Sequence, residues 1–381
     1  MKNLDIYKIH QINYKNILGR NVSDALSSEN PLALFWSASG IEVSTNSSEL
    51  WIEVSSNYSS NEIYLAAQVS GYTISRFMAP KEKTWICVVR NLDSQQNKNI
   101  SIIKDSQPTP FDPNQIIQIH SIAISKDSQF FEVPKKSCFI EFIGDSITSG
   151  EGMLGHPDAQ EWISSYISVN NNYAMQVAKR MNAEISIISQ CGWGIQRGWD
   201  GNIYSNIPDH YENVCSIFNS QMQQELGCCQ KYSFEKQPDY IVINLGTNDN
   251  FSFKQQPWKD ETTGKIYQYE FKNENELAET SKVQVENAII NFLQKIRKHN
   301  QNAKILWVWG MLKLDLLPPI LLNAIENYKK QTGDSKIYTM ELDSMEDVET
   351  DFLDRGSRFH PGPKTHLLAS KKISDFLQNL N

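Results

Sequence analysis

Chemically capable residues recur in short blocks along the second part of the chain. The blocks are Gly144-Asp145-Ser146, Gly192-Trp193-Gly194, Gly246-Thr247-Asn248-Asp249 and Phe359-His360-Pro361. Together they hold what acyl transfer needs. A serine hydroxyl is a poor nucleophile until a neighbouring base takes its proton, and a histidine suits that task at neutral pH. The tetrahedral intermediate then places negative charge on the former carbonyl oxygen, and preorganised donors must meet it. Ser146 is the candidate nucleophile and His360 the candidate base. The N–H groups of Ser146 and Gly194 and the side-chain amide of Asn248 are the candidate oxyanion donors. Each block alone has a plain reading: a glycine loop, an Asn-Asp turn, a histidine beside a helix-opening proline. Their joint order carries the information.

Something must hold these blocks in register. Residues 138–143 form a short apolar run that ends at Gly-Asp-Ser, so the sheet anchors the serine backbone while its hydroxyl faces the carboxyl edge. Gly144 allows the tight turn. Runs at 184–188 and 239–245 precede the second and third blocks, and 305–309 and 337–342 read as further strands. Helical spacing falls at 173–181, 277–299, 317–332 and 365–380, with Val285, Ile289, Phe292 and Ile296 sharing one face. Strand alternating with helix predicts a mainly parallel sheet covered on both faces, with ligands at its carboxyl edge.

Upstream the grammar differs. Residues 32–36, 50–54, 63–69, 85–89, 100–103 and 116–124 are short β-branched or aromatic runs separated by polar turns such as 44–48. This spacing predicts a β-sandwich of jelly-roll type. Pro134-Lys135-Lys136 then breaks the pattern. The expected organisation is an all-β accessory domain over 1–135 and an α/β/α domain over 136–381, and 381 residues suit two domains.

Composition excludes several classes. A net charge of −8 with no basic block argues against nucleic acid or an anionic membrane surface as partner. The longest apolar runs, 240–245 and 305–312, are far too short to span a bilayer. Residues 1–5 carry no apolar signal core, so the expectation is a cytoplasmic protein acting on soluble, imported substrate. The cysteines include no Cys-x-x-Cys pair and read as reduced thiols. His366 follows His360 without a metal-ligand pattern around it. No metal and no cofactor is expected.

The ordered series Gly-Asp-Ser, Gly, Gly-x-Asn-Asp and His-Pro resembles the SGNH (GDSL-type) hydrolase superfamily over about 138–380. Ser146, Gly194, Asn248 and His360 match its signature residues. A sandwich preceding that domain, and the stretch Phe142-Ile143-Gly144-Asp145-Ser146-Ile147-Thr148, is most similar to carbohydrate esterase family 2. The resemblance implies removal of O-acetyl groups from plant oligosaccharides or polysaccharides. The superfamily usually carries aspartate three residues before its histidine, whereas Ser357 stands there. Some members of the resembling family use a Ser-His dyad, with a backbone carbonyl holding the histidine. A carbonyl near residues 355–358 is therefore the expected acceptor, and Asp354 is the alternative orienter.

Trp162, Trp193 and Trp258 lie in loops near the blocks, with Trp199, Phe251 and Phe253, and are candidate rim residues for stacking on sugar rings. The polar stretch 251–275 is long enough to be a lid or binding loop. Two other functions fit the residues. One is a lipase or thioesterase on other acyl esters. The other is a non-catalytic carbohydrate-binding protein, against which a complete set of signature residues argues.

Overall fold

The computed structural model describes residues 3–348 and 354–380. Upstream, two antiparallel sheets share one core. The first runs in the order Leu4–Lys8, Ile116–Ser125, Leu50–Asn57 and Thr84–Val89, with Leu32–Ala33 also paired to Ile116–Ser125. The second runs Phe130–Phe131, Gly40–Thr45, Lys98–Lys104, Tyr64–Val69 and Tyr72–Met78, with Lys15–Leu18 beside Gly40–Thr45. Strand Leu50–Asn57 alternates between buried and half-buried positions, as a strand with one covered face must. Its Leu50, Ile52 and Val54 meet Ile41, Val43, Ile100 and Ile102 from the facing sheet.

The expected sandwich is present, with differences in detail. Strands Leu4–Lys8, Lys15–Leu18, Gly40–Thr45 and Tyr72–Met78 were not anticipated, and the run at 32–36 contributes only Leu32–Ala33. Ser44 and Thr45, expected in a turn, pair with Asn99 and Lys98. Gly40–Thr45 is buried at every position despite its polar residues. Its sheet packs outward on the second half: Leu18, Ala38, Ala66 and Ile103 join the cluster that contains Val177 and Ile185.

From Cys138 the chain builds a parallel sheet in the order Ala183–Ser189, Cys138–Gly144, Tyr240–Asn244, Lys304–Trp309, Ile337–Glu341. The strands are near-continuous apolar runs because both faces are covered. Ile241, Ile243, Ile305 and Trp307 face helices Glu279–His299 and Leu317–Thr332. Phe142, Val242, Leu306 and Val308 face Tyr173–Arg180 and Pro363–Asn379. The chain leaves its first strand to one side and returns on the other. Strand order therefore switches between Cys138–Gly144 and Tyr240–Asn244, which is where open α/β sheets leave a crevice for ligands.

Polar contacts join the two halves. Glu141, in the middle of the first parallel strand, is held by Arg20 from the sandwich side, with N–O distances of 3.1 and 3.2 Å. The Arg20 guanidinium lies 4.4–4.9 Å from the rings of Tyr211, Tyr232 and Phe234. Asp105 accepts from Ser168 Oγ at 3.0 Å and Asn170 N at 3.1 Å. Gln107 Oε1 accepts the Cys191 N–H at 2.9 Å, so the sandwich braces the loop that leads into the glycine block.

Candidate active site

Ser146 begins a short helix, Ser146–Ser149, directly after the first parallel strand. A Cβ on Gly144 would lie 1.9 Å from Thr148 Oγ1, so only glycine fits where strand becomes helix. Asp145 caps the turn, its Oδ1 accepting the Ile147 N–H at 3.0 Å. As a first-turn residue, Ser146 has an N–H with no helical carbonyl to bond.

His360 follows a turn whose residues Arg358 and Phe359 take φ of +53° and +58°. Two successive non-glycine residues in the left-handed region are costly and need support from their surroundings. The turn aims the Arg358 carbonyl at His360 Nδ1, 3.0 Å away, and leaves Nε2 2.9 Å from Ser146 Oγ. A carbonyl accepts only, so Nδ1 carries the proton and Nε2 presents its lone pair to the serine. The candidate nucleophile and base are within hydrogen-bond reach, and a main-chain oxygen holds the imidazole, which is the geometry a Ser-His dyad needs.

Ser357 is buried and donates to the Leu154 carbonyl at 3.2 Å. The alternative orienter, Asp354, is corrected. Its Oδ2 accepts the Thr365 N–H, in the first turn of helix Pro363–Asn379. The helix start attracts a carboxylate because its first N–H groups have no partner.

Asn248 lies in the helix Thr247–Ser252 that follows strand Tyr240–Asn244. One of its amide protons goes to the Trp193 carbonyl at 2.8 Å, which leaves the second for an oxyanion. Gly194 differs from its expected role. Its N–H donates to the Ser205 carbonyl at 3.1 Å and is already engaged. What the glycine provides is close approach, since a Cβ there would meet Arg197 O at 2.1 Å and Asp249 Oδ2 at 2.4 Å. Asp249 in turn accepts N–H groups of Ile195, Gln196 and Arg197 at 2.7, 2.8 and 3.3 Å. The aspartate of the third block thus organises the loop of the second.

Two fully buried carboxyl groups, Asp145 and Asp249, underlie the site. Burial pushes the Asp145 carboxyl up to about 7, with Asp249 and Glu151 adding to the effect. Burial also raises Asp249 against the pull of its three N–H partners. His366 is structural: Nδ1 accepts the Tyr173 N–H at 3.0 Å, and burial lowers the imidazole to about 3, so it stays neutral. Sequence reasoning passed over Glu151, buried beside the dyad, and Arg358, which supplies the carbonyl. A carboxylate five residues after the serine was the available signal for the first.

The aromatic candidates differ in exposure and in partners. Trp162 is half-buried with its ring 5.5 Å from the exposed Phe111 of the sandwich half. Trp193 is half-buried against His210 at 5.1 Å, and Trp258 contacts Tyr204 and Tyr267, each at 5.9 Å. Trp199 and Phe251 are exposed, whereas Phe253 is a core residue against Tyr269. Phe359, next to His360, is also exposed. The stretch 251–275 folds into small hairpins, Trp258–Lys259 with Ile266–Tyr267 and Phe271–Asn273 with Glu276–Leu277, rather than one open loop.

Comparison with known proteins fits this geometry. The whole chain superposes on an acetyl xylan esterase, Est2A, from the rumen bacterium Butyrivibrio proteoclasticus. The TM-score is 0.92 at 36% identity, covering 99% of this chain and 98% of that one. A family two carbohydrate esterase from Clostridium thermocellum, solved with cellohexaose, shares the fold at TM-score 0.75 and 22% identity, over 96% of this chain and 98% of that one. In sequence, 247 residues, 63% of this chain, are 25% identical to the cellulase/esterase CelE of Acetivibrio thermocellus; the match spans a quarter (25%) of that protein's length. Residues 140–373 match the GDSL-like lipase/acylhydrolase family profile, a span that holds every block described above. The chain belongs to the GDSL-like lipase/acylhydrolase family.

Proposed function

We propose that the protein is a serine esterase that removes O-acetyl groups from plant-type oligosaccharides or polysaccharides. The observation that carries the reading is the Ser146–His360 pair, 2.9 Å apart, with the imidazole held from behind by the Arg358 carbonyl. In the reaction Ser146 Oγ attacks the acetyl carbonyl carbon as its proton passes to His360 Nε2. The oxyanion forms within reach of the Ser146 N–H and the free Asn248 amide proton. Collapse expels the sugar oxygen, which takes the proton from Nε2, and an acetyl-serine remains. Water, deprotonated by the same nitrogen, then releases acetate and restores the hydroxyl.

The acetyl and sugar parts of the proposal are supported by the name of the 36%-identical relative, an acetyl xylan esterase, and by the cellohexaose bound to the Clostridium structure. The exposed aromatic face of Phe359, next to His360 in the chain, suits a sugar ring. The test is mass spectrometry of acetylated xylan and mannan oligosaccharides before and after incubation, with Ser146→Ala as control. Loss of acetyl by the wild type alone is expected. Preference for nitrophenyl octanoate over nitrophenyl acetate, with no sugar deacetylated, would replace the proposal with a lipase or thioesterase. A Ser146→Ala variant that kept more than a few per cent of turnover would remove Ser146 as nucleophile.

A further inference from the structure

A carboxylate reaches the dyad from the nucleophile's own turn. The Glu151 N–H donates to the Ser146 carbonyl at 2.9 Å, and the Glu151 side chain is only 5% exposed. Its Oε1 accepts from Arg358 Nη1 at 2.6 Å, and its Oε2 lies 3.6 Å from His360 Nε2. Burial, and after it the Glu151 charge, pushes the Cys191 thiol well above its ordinary range, so it stays neutral. Arg358 is also the residue whose carbonyl holds His360 Nδ1. One side chain thus touches both the base and the group that orients the base.

Two physical effects follow. The first is geometric. Arg358 and Phe359 sit in left-handed conformations that persist only where the surroundings over-determine them. The Arg358 N–H is tied to the Ala159 carbonyl at 3.0 Å, and its guanidinium is tied to Glu151. With main chain and side chain both fixed, the carbonyl is kept on Nδ1.

The second effect is electrostatic and depends on the reaction step. In the resting dyad, Nε2 carries a lone pair, and a nearby carboxylate offers it no attraction. When Ser146 Oγ bonds to the acyl carbon, its proton moves to Nε2 and an imidazolium forms beside Glu151. The attraction arises only then, so it lowers the barrier without tightening the ground state. The charged and titratable groups facing Glu151 are Arg358, His360, Asp145 and Cys191. Arg358 shares the carboxylate and tempers its field without removing it.

We infer that Glu151 is a positioning residue of the esterase. It pins the Arg358 turn and supplies, from the Nε2 edge, the negative charge that a triad aspartate supplies from the Nδ1 edge. The inference rests on the serine-esterase reading but not on the identity of the ester.

A fluorophosphonate probe tests it without a sugar substrate. Ser146 Oγ bonds to phosphorus, fluoride leaves, and the serine proton passes to His360, so the labelling rate reads activation of the serine. Glu151→Gln, which removes the charge and keeps the shape, is expected to slow labelling, and kcat on nitrophenyl acetate, by about tenfold to a hundredfold, with KM within about threefold. Arg358→Ala is expected to slow both as well, and the double variant to be no slower than the worse single, because the two act as a unit. A folded Glu151→Gln that labels within about twofold of wild type overturns the inference. Should that variant not fold, Glu151→Asp decides: a lower kcat at unchanged KM supports the role, and a full rate refutes it. A wild type that labels at Ser146 but deacetylates no sugar sinks the proposed substrate and leaves the inference standing. A wild type that does not label at all refutes both.

Discussion

Asp354→Asn separates a dyad from a triad by three orders of magnitude. In the structure the Asp354 carboxylate caps helix Pro363–Asn379 through the Thr365 N–H, while His360 Nδ1 faces the Arg358 carbonyl. Asparagine keeps an acceptor oxygen but loses the charge at the positive end of a helix. That charge is worth about 0.3–1 kcal/mol, and deleting the cap altogether with alanine costs about 1 kcal/mol. Spread over a domain of the size of the catalytic half, 1 kcal/mol lowers the melting temperature by about 2–4 °C. Turnover should therefore stay within about tenfold of wild type in both variants, since the imidazole keeps its acceptor. Were Asp354 the orienter, its removal would cost about ten-thousandfold in kcat. The assay is kcat on nitrophenyl acetate beside thermal unfolding, for Asp354→Asn, Asp354→Ala, Ser146→Ala and His360→Ala. A folded Asp354→Asn as dead as His360→Ala would refute the assignment of the Arg358 carbonyl.

Asn248→Ala should lower kcat by about a hundredfold or more with a smaller change in KM, because an oxyanion donor acts in the transition state; a change in KM alone would make Asn248 a binding residue. Arg20→Ala leaves Glu141 buried without its cation and should destabilise by about 3–5 kcal/mol in urea unfolding; a loss below about 1 kcal/mol would mean that the buried pair is neutral. Asp145 binds a proton in the fold up to about pH 7, above its unfolded value of 3.8, so stability falls as pH rises through that window. Asp145→Asn, which keeps the capping oxygen, should therefore raise the melting temperature more at pH 8 than at pH 4. An equal gain at both pH values would show that charge at Asp145 is not the cause.

The Ser146–His360 pair was legible because each block is local. Gly144 and Ser146 sit within one turn, and His360 beside Pro361 is read from neighbours in sequence. The Ser357 departure pointed to a carbonyl, and Arg358 supplies it. What escaped depends on how distant loops close on one another. Nothing in the sequence around Gly194 says that its N–H meets Ser205, or that Asp249 gathers three amides of its loop. The hairpins between 258 and 277 have strands of two or three residues, too short to show a period. Strand Gly40–Thr45 was missed for another reason. It is covered on both faces, by its own sandwich and by the second half, so the alternation that marks a half-exposed strand is lost.

The Arg20–Glu141 pair bears on how such a chain can be cut and inherited. An interior strand of the catalytic sheet, Cys138–Gly144, carries a carboxylate whose cation lies 121 positions earlier, in the other half of the molecule. A catalytic half expressed alone, or grafted behind a different sandwich, would bring that carboxylate into its core without a counter-ion. The joint is thus chemical as well as steric. Recombination that kept every signature residue but exchanged the first twenty would still yield a damaged protein. Descent with both halves together, or replacement of Glu141 by an apolar residue at the moment of exchange, is the route the chemistry leaves open.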